Sequence, residues 1–452
     1  MTRALATAVL CLLSHAALAG AGIDDIPSAI PSSVNEPTSS ATANFYLQSD
    51  LTLNAPRAGL SVPLPSPPSA WEARLFLDSR IAWRIDDALS FSYSGRLNLR
   101  AEDGLSFPGH QNIRNDLREA YFTWDNGSGL FLELGRINLR DGVAEGFNPI
   151  DYFKTRTVVE AISADPTVLR EDRLGTAMLL GEMVWTGGAF ALAIAPKLAS
   201  DSPPYLDAEL PSFNPMLDRT NAHTRLLAKA SFHLAEDISP ELLAYSEAGH
   251  SRFGLNMTKG FGQAVVAYLE WSGGRRASLA DDAVMDGIRN HVLFSPPLPV
   301  DGSRHFRNDL ALGLTYATKL GINIDLEYDY HQAGFAPVDW RNWFAGGVDP
   351  NLHGALWFIR GYANDQQEPM ARNSLFVRID WQNAFVRNLA LTGFVDTDLH
   401  DGSGLAQVTA DYYLSPSWSA GGLVDLYFGK PRSNFGSLPL RSSVLFKLSR
   451  YF

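Results

Sequence analysis

The segment LGRINLRDGVAEGFNPIDYFKTR, from Leu134 to Arg156, concentrates the charged residue types that could do chemistry. It also holds the turn-forming residues Gly142, Gly146 and Pro149. A catalytic loop needs a nucleophile and a general base within hydrogen-bonding reach of each other. No such pair converges in this segment. It therefore predicts a charged loop with another task, which the surrounding elements must define.

Histidines and paired carboxylates elsewhere in the chain predict no stronger site. A lipid-hydrolysing site would need Ser and His with an acidic or amide partner, and the spacing of His233 and His250–Ser251 does not join them into a triad. The pairs Asp24–Asp25 and Asp281–Asp282 lack the ligand spacing of a calcium loop. No Gly-rich phosphate loop follows a strand and opens a helix. The sequence therefore predicts no enzyme, no metal and no cofactor.

Residues 1–19 have the pattern of an export signal. A basic start precedes the apolar run 4–13, which is too short to span a bilayer, and Ala17-Leu18-Ala19 has the small–x–small form of a cleavage site. Cys11, the only cysteine, lies inside this signal, so the mature chain is expected to have no disulfide and no thiolate metal site. Residues 20–42, rich in Pro, Ser and Ala, predict a flexible periplasmic segment. The net charge of −12 argues against a nucleic-acid partner.

From residue 43 to residue 452 the sequence consists of short segments in which apolar and polar residues alternate. Arg372–Asn383, Ile322–His331 and Leu89–Arg100 are clear examples. A period of two indicates β-strands, and about ten residues is the length at which a tilted strand crosses a bilayer. No later segment has some twenty uninterrupted apolar residues, so the sequence predicts no membrane-spanning helix. The last segment, Ser442–Phe452, alternates in the same way and ends in an aromatic residue.

Counting back from Phe452 gives about 18 candidate strands, an even number as bacterial membrane barrels require. They fall near 441–452, 418–428, 405–414, 389–397, 372–383, 321–331, 306–318, 263–272, 251–259, 238–248, 224–234, 188–196, 174–185, 129–140, 115–124, 89–100, 72–84 and 43–53. Most connections alternate between short turns and longer loops, as expected for a barrel with periplasmic termini. The connection Gly249-His250 is short on the long-loop side; if it and a neighbour are misread, the count falls to about 16.

The polar face of these strands is dense in charge. A charge facing hydrocarbon would cost about 2–4 kcal/mol at the bilayer midplane, so the polar face is expected to line a lumen. The predicted basic lining is Arg74, Arg80, Arg84, Arg96, Arg100, Arg136, Arg140, Arg225 and Lys229. The predicted acidic lining is Glu270, Asp325, Glu327, Asp329, Asp380, Asp411 and Asp425. The basic and acidic groups lie on roughly opposite arcs of the wall, which predicts a transverse electric field that orients polar solutes. The alternative is that the charges pair with one another and solvate a wide lumen without selectivity.

The chain resembles porin-type outer-membrane channels. The resemblance rests on the signal peptide, the alternating strands, the pair Gly135-Arg136 before a long loop, and Phe452 at the end. It implies residence in the outer membrane of a Gram-negative bacterium, in contact with lipid and lipopolysaccharide. It also implies insertion by the barrel assembly machinery, which would read Phe452 as its signal. The implied function is passive diffusion of small hydrophilic solutes, with anions as the favoured charge class.

Two rival functions follow from the same pattern. The size and strand count are also similar to those of alginate-export barrels, which implies a dedicated export or uptake channel for a polysaccharide or another polyanion. The many lumenal carboxylates depart from the strongly basic pore of that family. The second rival is an outer-membrane barrel enzyme that acts on lipid. Residues 20–42 are too short for the plug domain of a TonB-dependent transporter.

The opening segment then has a specific interpretation. Residues 141–173 are predicted to fold into the lumen as a constriction loop, because the Gly-Arg lead-in resembles the one before the constriction loop of porins. Its cations, Lys154, Arg156, Arg170 and Arg173, are expected to face wall carboxylates or solute. A second long loop, 332–371, holds Trp340, Trp343 and Trp357, which could stack on sugars or pack the loop over the mouth of the barrel.

Overall fold

A computed structural model describes residues 40–103, 112–201, 214–235 and 238–452. The predicted signal peptide at 1–19 and nearly all of the segment 20–42 lie outside the described residues. Within the described part the chain forms one 18-stranded antiparallel sheet. Strand β1 pairs with both β2 and β18, so the sheet closes into a barrel without free edges.

The strands occur in sequence order around the barrel. They are β1 Ser40–Pro56, β2 Trp71–Arg84, β3 Leu89–Glu102, β4 Ile113–Asp125, β5 Leu130–Ile137, β6 Thr176–Trp185, β7 Gly188–Ala195, β8 Arg225–Phe232, β9 Glu241–Glu247, β10 His250–Phe261, β11 Val265–Arg276, β12 His305–Ala317, β13 Ile322–His331, β14 Asn373–Trp381, β15 Leu389–Asp398, β16 Gly404–Ser415, β17 Trp418–Phe428 and β18 Leu440–Tyr451. The prediction of an 18-stranded barrel is therefore confirmed.

The short connection between β9 and β10 is a tight hairpin. Ala248 and Gly249 have φ of 49° and 81°, the left-handed conformation that two-residue hairpin turns require. His250 pairs directly with Glu247 across it. The count of about 16 strands, which depended on misreading this connection, is wrong.

The alternation of apolar and polar residues along the strands corresponds to the outer and inner faces of the barrel. Large apolar side chains on the outer face are exposed, for example Leu134 at 62%, Met183 at 52% and Phe253 at 54%. Their neighbours along each strand are mostly buried or half-buried and polar. Such a barrel can be stable only where hydrocarbon covers the outer face, because so many exposed apolar side chains would be unfavourable in water.

In the connections that the structure describes there are five short α-helices: α1 Pro166–Glu171, α2 Leu217–Thr220, α3 Leu279–Arg289, α4 Pro337–Gly346 and α5 His353–Asp365. Over the described ranges, no helix is long and apolar enough to cross a membrane. The connections 57–70, 277–304 and 332–372 form an apolar cluster, in which Val62, Val284, Trp343 and Leu356 are buried. We call this cluster the cap; it lies at the end of the barrel that carries the long loops.

Arg360 sits at the centre of the cap, within 4.8–5.5 Å of the ring centroids of Trp340, Trp343 and Trp357. Its guanidinium donates hydrogen bonds to the carbonyl oxygen of Asn434 at 3.0 Å and to Oγ of Ser437 at 2.9 Å. The tryptophans therefore pack the loop, as one of the two interpretations of the sequence expected. Arg360 ties the packed cap to the β17–β18 connection.

Candidate functional site

The connection between β5 and β6, residues 138–175, is packed against the inner face of the barrel; we call it the inner loop. Tyr152 stacks on the wall residue Tyr245, with ring centroids 4.6 Å apart and planes at 9°. The hydroxyl of Tyr152 lies 3.0 Å from Oγ of Ser272 on β11. Ile150 and Phe153 are buried in the same cluster of loop and wall residues. The aromatic part of the inner loop is therefore seated on strands β8 to β11.

Two wall carboxylates hold the backbone of the inner loop. Glu327 on β13 accepts N–H groups of Glu145 at 2.8 Å, Gly146 at 2.9 Å and Phe147 at 3.0 Å. Glu270 on β11 accepts the N–H of Ala144 at 2.7 Å and that of Val143. Hydrogen bonds to an ionised acceptor are among the stronger ones in proteins. Five consecutive backbone donors are thus satisfied by two buried side chains.

The glycines of the opening segment permit this close approach. A Cβ atom on Gly146 would lie 2.7 Å from Cβ of Phe376, and one on Gly142 would lie 2.5 Å from Oε1 of Glu270. Real Cβ atoms essentially never approach so closely. The two glycines therefore let the loop backbone lie directly against the wall.

Arginines on β2 to β4 hold the loop on the other side. Glu160 of the inner loop pairs with Arg74 at 2.9 Å and Arg114 at 2.9 Å. Asp172 pairs with Arg96 at 2.9 Å and Arg118 at 2.9 Å. Here loop carboxylates meet wall cations, the reverse of the arrangement on β11 and β13.

The helical part of the inner loop reaches a third region of the wall. Asp165 caps α1 by accepting the N–H of Thr167 at 2.9 Å, and it pairs with Arg378 on β14 at 2.6 Å. Ser163 exchanges a hydrogen bond of 2.9 Å with Gln407 on β16. The loop thus contacts the inner face of β2–β4, β8–β11, β13, β14 and β16.

Within the described residues, the hydrogen bonds and ion pairs of the four loop cations go to groups of loops, and the expectation that these cations face wall carboxylates or solute stays a prediction. Lys154 donates to the carbonyl oxygen of Asn148 at 2.7 Å. Arg170 donates to the carbonyl oxygens of Asp141 and Gly142, each at 3.1 Å. The other two bind carboxylates of loops: Arg173 pairs with Asp151, and Arg156 pairs with Asp201 and Asp365. These cations stabilise the loop region internally, since its carbonyls and carboxylates lie closer than the wall.

Burial sets the pKa of two groups in the inner loop. Loss of hydration raises the pKa of Glu145 to about 7; nearby Asp325 raises it further, and Arg378, 3.5 Å away, opposes the shift. Loss of hydration also lowers the pKa of Lys154 to about 8. Glu145 therefore changes charge near neutral pH, and it does so on the face of the loop that meets the acidic wall.

The predicted basic residues on β2, β3 and β8 share the inner face of their strands, but most are paired. Arg74 pairs with Glu72 at 2.7 Å, Arg225 pairs with Glu247 at 2.9 Å, and Lys229 pairs with Asp141 at 2.8 Å. The remaining inner-face cations of this group are Arg80, Arg84, Arg96 and Arg100. Arg100 pairs with Glu102 at 2.5 Å and keeps 35% of its side chain exposed.

Two predicted basic residues lie elsewhere. Ile137 packs into the lumenal cluster, so Arg136, the preceding residue of the strand, points to the opposite side. Its guanidinium is buried against the carbonyl oxygens of Gly175, at 2.8 Å, and Pro215. Arg140 lies beyond the end of β5 and is exposed. Arg136 shares the side of β5 on which Leu132 and Leu134 are exposed, whereas Arg140 lies outside the strand because β5 ends earlier than the alternation indicated.

The predicted acidic residues all lie on the inner face of their strands. Asp380 pairs with Arg378 at 2.7 Å, Asp411 pairs with Lys447 at 2.9 Å, and Asp425 accepts from Ser443 at 2.8 Å. The other four are buried: Glu270, Asp325, Glu327 and Asp329. Glu270 and Glu327 are anchors of the inner loop, so they are removed from contact with solute.

Sequence reasoning missed the wall residues Asp78, Arg114 and Arg118 and the loop residues Glu160 and Asp172. The alternation Arg114, Asp116, Arg118 was a usable signal, but β4 was expected to begin at 115. The strand also carries a bulge, where the register with β3 shifts between Ser94 and Gly95. A bulge inserts one residue and breaks the period of two. In the part of the chain that the structure describes, no three His, Cys, Asp or Glu side chains are grouped so as to hold a metal ion.

No protein-family model matches the sequence, and no curated protein matches it. Solved structures do match in fold. OccK5 (OpdH) of Pseudomonas aeruginosa is 8% identical with a TM-score of 0.51, over 91% of this chain and 98% of that one. OccK11 (OpdR) of the same organism is 13% identical with a TM-score of 0.49, over 91% and 96%. A mutant of Rhodopseudomonas blastica porin is 10% identical with a TM-score of 0.41, over 91% and 100%.

The closed antiparallel barrel with an apolar outer face defines the fold class: this is an 18-stranded transmembrane β-barrel, similar in fold to OccK5. At these identities the likeness establishes the fold alone. The function must therefore be argued from the inner loop and the charges around it.

Proposed function

We propose that the protein is a porin-like channel through which small hydrophilic solutes diffuse passively, with the inner loop as its constriction. The observation that carries the proposal is that the inner loop is bonded to the wall on opposite sides. Glu327 binds its backbone on β13, while Arg74 and Arg114 bind its Glu160 on β2 and β4. A loop held in this way narrows a barrel of this size and makes its remaining opening polar.

The charge preference is proposed from the side chains that stay accessible. Arg100 keeps 35% of its side chain exposed and Arg114 keeps 27%, whereas Asp380 and Asp411 each keep 25%. Pairing partly offsets each of these charges, and partial exposure screens them further. We infer a modest preference for anionic solutes, since Arg100 and Arg114 keep somewhat more of their side chains exposed than Asp380 and Asp411 do.

The same arginines favour a second candidate, a channel for a polysaccharide or another polyanion. Guanidinium groups bind carboxylates in a bidentate manner, which suits a chain of sugar acids. Glu160 and Asp172 already occupy several of these donors. We therefore rank diffusion of small solutes first. No covalent chemistry is part of the proposal, and the purified protein is expected not to hydrolyse lipid esters.

Planar-bilayer recording tests the proposal. The unaltered channel should pass small ions, show a modest anion-selective reversal potential in a salt gradient, and be blocked only weakly by oligomeric sugar acids. Deleting residues 145–165 should raise the single-channel conductance. Unchanged conductance and selectivity after the deletion would refute the constriction, whereas tight block by sugar acids with little ion conductance would favour the polyanion channel.

Phe452 is proposed as the signal for barrel assembly. Its N–H donates to the carbonyl oxygen of Phe45 at 2.9 Å, and Arg450 lies 4.6 Å from its ring centroid. Replacing Phe452 with Ala should lower the amount of folded protein in the outer membrane of cells, while refolding of the same variant in detergent should be little changed. Equal amounts of folded protein in cells would contradict this role.

A further inference from the structure

The outer face of the barrel has an apolar groove on β7 to β11. Cross-strand pairing places Ala228 and Ala230 of β8 beside Ala244 of β9, so three small side chains form its floor. Phe190 and Phe253 rise on either side, since Phe190 pairs with Ala230 and Phe253 with Ala244. The groove has a volume of about 490 Å³. Its outer-face lining is apolar and lies where hydrocarbon covers the barrel.

Two arginines and two histidines lie together above the groove at the long-loop end; we call them the rim cluster. It consists of Arg275, Arg304, His250 and His305, all exposed. Arg275 follows Trp271 and Gly273 on the outer side of β11, and Trp271 lines the groove. The rim cluster is therefore continuous with the top of the groove.

The two arginines of the rim cluster lie close together. Arg275 donates to the carbonyl oxygen of Arg304 at 3.4 Å, and Arg304 lies 2.7 Å from Nδ1 of His250. Among the residues that the structure describes, neither arginine has a carboxylate within 4 Å. Like charges gathered in this way repel one another, and an anion would relieve the repulsion.

The height of the wall brings the rim cluster to the level of lipid headgroups. Strands β8 and β9 have 8 and 7 residues, whereas β1 has 17. A strand needs about 9–11 residues to cross the bilayer. The wall is therefore low in this sector, which brings the rim cluster close to the headgroups of the outer leaflet.

We propose that this surface binds an anionic lipid of the outer leaflet, with an acyl chain in the groove and a headgroup phosphate on Arg275 and Arg304. Two guanidinium groups can bind a phosphate through paired N–H···O hydrogen bonds. Each methylene group of the acyl chain that the groove covers adds hydrophobic stabilisation. The lipid with this chemistry in the outer leaflet is the phosphorylated lipid anchor of lipopolysaccharide.

Native mass spectrometry of the full-length protein in detergent, titrated with bisphosphorylated lipid A, tests the assignment. The double variant Arg275→Ala/Arg304→Ala should bind lipid A about tenfold more weakly, because it loses charge-assisted hydrogen bonds. Ala244→Trp should weaken binding by filling the groove. The controls are Arg387→Ala, an exposed arginine at the short-turn end, and Ala410→Trp on the opposite lipid-facing wall; both should bind as the parent does.

Three outcomes would overturn the assignment. The first is equal affinity for lipid A in all variants. The second is displacement of lipid A by inorganic phosphate with unaltered binding in Ala244→Trp, which would reduce the site to a phosphate site on the rim. The third is a change of oligomeric state in Ala244→Trp without loss of lipid binding, which would assign the groove to a second copy of this chain. All variants should give heat-resistant folded barrels, so a failure of assembly is separable from a loss of affinity.

Discussion

Removing the carboxylate of Glu327 should loosen the inner loop without unfolding the barrel. The side chain accepts three loop N–H groups at 2.8–3.0 Å and the hydroxyl of Tyr268 at 2.6 Å. A hydrogen bond to a charged group contributes about 1.5–3 kcal/mol net, so the three loop bonds together contribute about 5 kcal/mol or somewhat more. Every 1.4 kcal/mol changes a population about tenfold. In Glu327→Ala the segment 145–147 should detach roughly several thousandfold more often.

The loop would stay in the lumen, because Glu270, Arg378 and Gln407 still bind it. Single-channel recording should therefore show frequent transitions to a higher conductance in Glu327→Ala. Glu327→Gln, which keeps one acceptor oxygen, should show an intermediate number of them. Asp411→Ala is the matched control, since it removes an inner-face carboxylate that binds Lys447 and not the loop.

The reasoning fails if Glu327→Ala folds normally and shows the parent's conductance and noise. It fails equally if Asp411→Ala reproduces the change, because the effect would then come from lumenal charge and not from the anchoring of the loop. Unfolding in urea should separate the two cases from general damage. The barrel transition should shift little in either variant, as the 18-stranded sheet is intact in both.

Three further perturbations test other parts of the structure. Burial raises the pKa of Glu145 to about 7, so ionisation between about pH 6 and 8 should make the channel less anion-selective, and reversal potentials of Glu145→Gln should lack this pH dependence. A raised folded-state pKa also means that this carboxyl stabilises the fold fully below its ordinary value of 4.5 and ceases to do so as the pH passes about 7. Arg360→Ala should free the cap from the β17–β18 connection and make the cap sensitive to trypsin in limited proteolysis while the barrel resists; a resistant cap would contradict its role as a tie. Gly135→Ala should impair folding, because its φ is 143° and a Cβ there would lie 2.6 Å from Cα of Tyr121; Gly260→Ala, where a Cβ meets nothing within 4 Å, should fold normally.

The strands could be predicted from the sequence because the barrel wall separates two different environments. Hydrocarbon on one side and water on the other impose a period of two that no local signal obscures. One of the errors in strand bounds involves glycine. Strand β11 was expected to end at 272, before Gly273-Gly274, but it continues to Arg276. The absence of a side chain at Gly273 leaves room for the rings of Trp271 and Phe306, so this glycine is a packing position and not a turn.

The sequence predicts that residues 141–173 enter the lumen, but it does not reveal which contacts hold them. Lys154, Arg170 and Arg173 are cations, and from the sequence alone they are expected to face wall carboxylates or solute. The donors that reach Glu270 and Glu327 are backbone N–H groups, which every residue carries and no residue type reveals. Pairing between distant charges has the same difficulty, because many carboxylates could satisfy each arginine and only the fold selects one.

The anchoring of the inner loop limits which charges can select solutes. A barrel of 18 strands is too wide for its wall side chains to fill, so a loop must enter the lumen to narrow it. A loop packed against the wall loses water from its backbone donors, and each donor left unpaired would cost about 1–3 kcal/mol. Glu270 and Glu327 pair with these backbone donors, and so these two carboxylates are not available to bind solute. Selectivity must then come from charges that the loop leaves accessible, such as Arg100, Asp380 and Glu145, and substitutions at these three should change reversal potentials more than substitutions at the buried acids.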